Sequence, residues 1–138
     1  MKVLLDANIL IAAFATRGLC QDLFEACLSE HEIVSSRELL GEVRRNLVKK
    51  IRLPPAVAEE VVSFIAGRSI TGEVAPVEPG ACRDPSDLAV LGLAVGSRCD
   101  CLVTGDQDLL SLRFFREIPI LDPRGFWALL GKRRRTRR

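Results

Sequence analysis

The stretch Met1-Lys2-Val3-Leu4-Leu5-Asp6-Ala7-Asn8-Ile9-Leu10-Ile11-Ala12-Ala13-Phe14 decides the architecture. Residues 2–6 read as a strand whose side chains are apolar in both alternating directions. That pattern belongs to a central parallel strand covered on both faces. Residues 8–15 then read as a short helix. Asp6 interrupts a run that otherwise suits a buried core, and a carboxylate inside such a core is costly. The economical place for it is the exit of the strand, on the rim of the sheet.

Working outward, strands and helices alternate. Residues 20–29 put Leu23, Phe24, Cys27 and Leu28 on one helical stripe, and residues 31–35 form a short strand. Ser35 followed by Glu38 gives a capping-box pattern before a helix carrying Leu39, Leu40, Val43 and Leu47. Lys49 and Lys50 close that helix, and Pro54 and Pro55 open the next, with Val57, Val61, Val62 and Ile65. The Gly- and Pro-rich stretch 67–81 is expected to hold one weak strand near residues 73–77. Asp84-Pro85-Ser86-Asp87 then starts a helix running to about Ser97, with Asp84 as N-cap and Asp87 as its capping-box acid. Residues 99–105 read as a strand, 106–112 as a short helix and 118–121 as the last strand. Pro123 opens a final helix with Phe126, Trp127, Leu129 and Leu130. This order predicts an α/β fold: a three-layer α/β/α sandwich around a parallel sheet of about five strands.

The 138 residues suit one domain, expected at 1–131, followed by a basic segment at 132–138 read as a disordered tail. A hydrophobic share of 48% against 28% charged is the balance of a globular chain, not a disordered one. With no tyrosine and 5% aromatics, an aromatic stacking platform for bases is not expected as the main binding device. The net charge of +2 conceals an asymmetry. Lys132, Arg133, Arg134, Arg135, Arg137 and Arg138 carry six positive charges, which leaves residues 1–131 with about four net negative ones. The basic segment suits nucleic acid or an acidic partner, or is a solvated terminus. Cys20, Cys27, Cys82, Cys99 and Cys101 are odd in number and form no metal-ligand spacing, so reduced, buried thiols are expected. No secretory leader or membrane span is expected, which points to the cytoplasm.

The chemistry lies in the acids. In an open parallel sheet, ligands bind beyond the carboxyl ends of the strands. Asp6 ends the first strand, Asp106 follows Thr104 at the end of a later one, Asp87 opens the helix between, and Glu42 borders the stripe of its own helix. Four carboxylates on one edge repel one another unless a cation lies among them. Mg²⁺ or Mn²⁺ takes such oxygen ligands and supports phosphodiester hydrolysis. Each acid also has an ordinary reading: Asp84, Asp87 and Asp106 as helix caps, Asp108 as a first-turn acid, Glu42 as a surface residue. His31, the one histidine, falls at the opposite end of a strand and makes no Ser-His-Asp set. No Gly-rich phosphate loop follows the first strand.

VLLDANILIAAF, a mid-chain Glu in a helix, CRDPSD and LVTGDQDLL together resemble the PIN domain. They are most similar to the bacterial and archaeal members that act as toxin components of toxin–antitoxin systems. The likeness runs from Lys2 to about Leu130. It implies a Mg²⁺- or Mn²⁺-dependent ribonuclease whose four acids fall on Asp6, Glu42, Asp87 and Asp106. It implies that Asn8 steadies the first loop, that Thr104 orients the acids, and that Asp84 and Asp108 serve a second cation where one is used. An RNA substrate, a cognate antitoxin and a homodimer are implied as partners. Close relatives often carry an Asn-Lys-Phe-like run after the DPxD segment, where this chain has Leu88, Ala89 and Val90. That loses a basic side chain near the expected phosphate. A catalytically weak or inactive RNA-binding module is therefore the alternative to the nuclease, and a DNA-directed nuclease is a third reading.

Overall fold

Val3, Leu4 and Leu5 are fully buried, which requires a neighbour on every side of the strand they form. The computed structural model, which describes residues 1–136, supplies them. The first strand, β1 (Lys2–Leu5), is followed by α1 (Ala7–Ala15), α2 (Leu19–Glu30), β2 (Glu32–Ser35), α3 (Arg37–Lys49), α4 (Pro55–Gly67) and β3 (Ser69–Thr71). A 3-10 turn at Pro85–Asp87 leads into α5 (Leu88–Gly96), then β4 (Cys101–Val103), α6 (Gln107–Leu110), β5 (Phe114–Phe115), β6 (Ile118–Leu121) and α7 (Pro123–Thr136). The sheet order is β3-β2-β1-β4-β6-β5. Parallel pairing aligns Leu4 with Val34 on one side and with Leu102 on the other.

The expected α/β architecture is present, with helices flanking a mostly parallel sheet. The chain winds outward from β1 through β2 to β3, then returns to place β4 on the other side of β1. That reversal opens a crevice above the carboxyl ends of β1 and β4. Leu10, Leu23, Leu47, Leu91, Leu102 and Phe126 are fully buried around the sheet. Each contributes roughly 1.5–3 kcal/mol of apolar transfer energy.

Several local readings need correction. Among the described residues the expected five parallel strands are present, and a sixth is added where Phe114 and Phe115 pair antiparallel with Pro119 and Ile118. Arg116 and Glu117 make the two-residue turn between them with φ of 47° and 71°. This is the left-handed geometry of a tight hairpin, built here without the usual Asn-Gly. Ser36, not Ser35, caps α3: its Oγ accepts from the Leu39 amide at 3.1 Å, while Ser35 stays in β2 with its hydroxyl 2.7 Å from that of Ser69. The edge strand is Ser69–Thr71, and residues 73–77 lie along α5 instead. The Ala75 amide donates to the Gly92 carbonyl at 2.9 Å, and a Cβ on Gly92 would stand 2.6 Å from the Ala75 oxygen. Glycine there permits the close crossing. The segment from Lys132 through Thr136 continues α7 rather than leaving it, because strong helix formers follow Gly131 without a breaker. Arg137 and Arg138 lie outside the described residues.

Four of the five cysteines are buried and Cys20 is half-buried, all as free thiols. Among the described residues, no helix is long and apolar enough to cross a membrane.

Candidate active site

Asp6 leaves β1 in extended conformation and caps α1, its Oδ1 accepting from the Ala7 amide at 2.8 Å. Its own amide donates to the Val103 carbonyl at 2.9 Å, which ties the rim to β4. The other oxygen, Oδ2, accepts from Thr104 Oγ1 at 2.8 Å. Thr104 is completely buried, and its Oγ1 in turn accepts from the Asp106 amide at 3.1 Å. Asp106 caps α6 by accepting from the Asp108 amide at 2.8 Å. One buried hydroxyl thus couples the two acidic strand ends. Hydrogen bonds of this charge-assisted kind fix a carboxylate's orientation.

Above this network lies a cleft of about 780 Å³. Asp6, Asn8, Glu42, Asp84, Asp87 and Asp106 line it, and so do Arg45 and Asn46 of α3. One part of its wall is apolar, formed by Val74, Ala89, Val90 and Leu93 with Leu39, and Ser36, Glu38 and Ser86 complete the lining. Asn8 is exposed there and makes no side-chain hydrogen bond among the described residues, while Thr104 donates to Asp6. Asp108 stands beside the cleft. Asp84, Asp87 and Asp108 each offer an oxygen within 4.8 Å of the others'. Asp84 also caps the 3-10 turn, accepting from the Ser86 amide at 3.0 Å, which holds its exposed carboxyl below the usual range. Asp87 is not a capping-box partner. It faces Asp106 and the Cys82 thiol, whose Sγ lies 3.8 Å from Asp87 Oδ2.

The electrostatics are those of crowded anions. Burial pushes the Asp87 carboxyl up to about 7, aided by the charge and hydrogen bond of Asp106, then by Asp84 and Asp6. Asp6 is raised by burial against the opposing pull of Thr104 and Ala7. Glu42 is raised by burial and by Asp6, against Arg45 and Lys50. An all-oxygen donor set around one cleft, with Asp6, Glu42 and Asp87 raised, fits a hard divalent cation, which would relieve the repulsion among them, and among the described residues Asp84, Asp87 and Asp108 stand close enough to share one. Arg83, 4.0 Å from Asp108, is mostly in solvent and offsets little of it.

The basic residues fall elsewhere. Arg134 of α7 lies 3.6 Å from Glu30 at the end of α2, beside the amino end of β2. Lys132, Arg133 and Arg135 are exposed on the same end of α7. His31 is at that edge too, 3.3 Å from the terminal amine of Met1. Sequence reasoning missed Arg45, Val74 and Cys82. Arg45 stands three residues after Glu42, a spacing that puts both on one helix face. Val74 had no such signal, because its place depends on the loop crossing α5.

Residues 2–108 match the family model described as the PIN domain. Among solved structures, PAE2754 from Pyrobaculum aerophilum is similar with a TM-score of 0.63 and 20% identity, over 96% of this chain and 90% of that one. VapBC2 from Rickettsia felis, solved bound to a DNA fragment from their promoter, is similar with a TM-score of 0.60 and 14% identity, over 88% and 98%. At such identities these likenesses establish the shared fold alone. No curated protein matches the sequence.

Proposed function

The chain belongs to the PIN-domain family, and from that premise we propose that it is a Mg²⁺- or Mn²⁺-dependent endoribonuclease. In this reading it is the toxin of a cytoplasmic toxin–antitoxin pair. One observation carries the activity: Asp6, Glu42, Asp87 and Asp106 reach a single cleft from four separate elements, at the crevice where the sheet order reverses. Structural caps have no reason to converge in this way.

Asp6, Glu42, Asp87 and Asp106 would hold the cation, with Asp84 and Asp108 beside Asp87 for a second one. When bound, the cation supplies acidification of a water and neutralisation of charge on a phosphoryl oxygen. The chain's own contribution is position. Thr104 and the Ala7 amide fix both oxygens of Asp6, so this cleft-lining carboxylate is oriented before any ligand arrives. Arg45 is the one cationic side chain among the lining residues and suits a phosphate. The wall of Val74, Ala89, Val90 and Leu93 excludes water and offers a surface to a sugar or base. Without a cation the Asp87 carboxyl is held near 7, so a cation bound there would compete with a proton.

The R. felis complex supports the view that a second protein controls this chain. An antitoxin that covers the cleft and a homodimer are both part of the proposal. A second reading, a non-catalytic RNA-binding module, is favoured by Ala89 and Val90, which line the cleft without a basic side chain. Incubating an RNA panel with Mn²⁺ or Mg²⁺ decides between them. Asp6→Asn keeps the acceptor for Ala7 but removes the charge, and cutting should fall by a factor on the order of 10² or more. Equal cutting by the variant sinks the assignment; RNA binding with no cutting by the native chain selects the second reading.

A further inference from the structure

Helix α7 lies beyond the residues matched by the family model, which end at Asp108. It runs across the molecule. Pro123 follows the carboxyl end of β6, next to the cleft-bearing edge, and Arg134 reaches Glu30 at the opposite edge. Fourteen residues span roughly 20 Å at the rise of an α-helix. Its inner side is anchored by Phe126 and Leu130, both buried.

The outer side has an unusual composition. Arg124, Trp127, Gly131, Arg134 and Arg135 recur at helical spacing on one face, and the four with side chains are exposed. Trp127, the only tryptophan, is 40% exposed. The Arg134 guanidinium lies 5.9 Å from its ring centroid. Gly131 sits between them, and nothing lies within 4 Å of where its Cβ would be. No packing demand therefore explains a glycine that weakens a helix interior. Its effect is a stretch of open backbone on the helix face that carries the indole and the guanidinium groups.

We propose that this face is a track for single-stranded RNA, with the arginines on phosphates and Trp127 stacked on a base. This rests on the RNA reading above and extends it to a surface outside the cleft. Residues 1–131 are net acidic and repel a polyanion, so positive charge gathered on one helix sets the path that the strand takes. Phosphate contacts and stacking carry no sequence code, so the track adds affinity for length and strandedness rather than for sequence. An acidic protein would match the arginines, whereas a nucleic acid matches the arginines with phosphates and the indole with a base.

The single tryptophan makes the test direct. The full chain is titrated in EDTA, where no cutting occurs, with single-stranded RNA, a duplex of the same length and poly-glutamate, following indole fluorescence and anisotropy. Single-stranded RNA should quench the indole. Trp127→Ala should weaken single-strand binding on the order of tenfold while leaving the duplex unchanged. Arg135→Ala should flatten the log–log salt dependence by about 0.7 for the lost phosphate contact. Equal quenching by poly-glutamate, or RNA binding without quenching and unaffected by Trp127→Ala, overturns the track. Quenching in the native chain needs no variant, so a misfolded mutant cannot obscure the answer. Binding is read without cleavage, so an inactive cleft leaves the track standing, and cleavage without quenching removes the track alone.

Discussion

The two ends of the sheet hold charge in opposite ways. At the carboxyl edge, acids are crowded, partly buried and fixed by hydrogen bonds to a fully buried threonine. At the amino edge, Lys132, Arg134 and Arg135 of α7 are exposed, and Arg134 lies 3.6 Å from Glu30. The first arrangement spends stability on pre-organisation, which suits chemistry. The second costs the fold little and suits attraction of a polyanion, where water and salt set the strength. Charge that is expensive to hold marks where an ion is expected; charge that is cheap to hold marks where a chain can slide.

The sharpest way to strain this comparison is to loosen the platform under the acids. Leu102 is fully buried in β4, opposite Leu4 and Ile120. Leu102→Ala leaves a cavity beneath the rim and should cost about 2–5 kcal/mol in urea denaturation. Arg135→Ala, at the other edge, should stay within about 0.5 kcal/mol. Similar losses at both sites break the contrast.

A smaller effect, of opposite sign, comes from the acids themselves. The fold holds Asp87 near 7, against an ordinary 3.8. Below about pH 4 both folded and unfolded chains carry its proton, and it costs nothing. Between there and about pH 7 the unfolded chain releases the proton first, so stability falls with rising pH, and above that range the full cost is present. Asp87→Asn stays neutral throughout. Without divalent cations it should be more stable than the native chain at about pH 8, by about 1–2 kcal/mol after discounting for solvent screening, with the gain vanishing near pH 4. Added Mn²⁺ should stabilise the native chain more than the variant. Urea titrations at both pH values check the sign, and an Asn variant that is weaker at the higher pH shows that the acids are not repelling one another.

What could be read in advance divides along the same line. β1 was legible because burial on both faces leaves an unbroken apolar run, and that run placed Asp6 on the rim. The crevice was legible because parallel strands put their exits on one edge. β5 was hidden, since its turn uses Arg116 and Glu117 in left-handed geometry where the recognisable signal is Asn-Gly. The displaced edge strand was hidden for a different reason. The backbone of residues 73–77 finds its partners on α5, through Gly92 and Ser97, and pairing across such a distance leaves no periodicity. Val74, and with it the apolar wall of the cleft, went unseen for the same cause. Charge density alone does not distinguish a solvated coil from the end of an anchored helix, so the basic segment reads as a tail.

The smallest expected effect tests whether the amino edge is as inexpensive as its exposure suggests. Arg134 and Glu30 lie 3.6 Å apart, with side chains 48% and 38% exposed. At that separation and exposure the attraction is screened, and fixing two long side chains offsets most of what remains. Glu30→Gln removes the charge that competes for Arg134 while keeping its shape. Stability should change by no more than about 0.5 kcal/mol. Affinity for single-stranded RNA in EDTA should rise, by roughly twofold at low salt, because one guanidinium is released to phosphate and one repelling carboxylate is gone. The rise should fade as salt is added. A melting temperature that falls by many degrees would make the pair a structural clasp for α7. A salt-independent change in affinity would mean that Glu30 acts through the shape of the helix rather than through its charge.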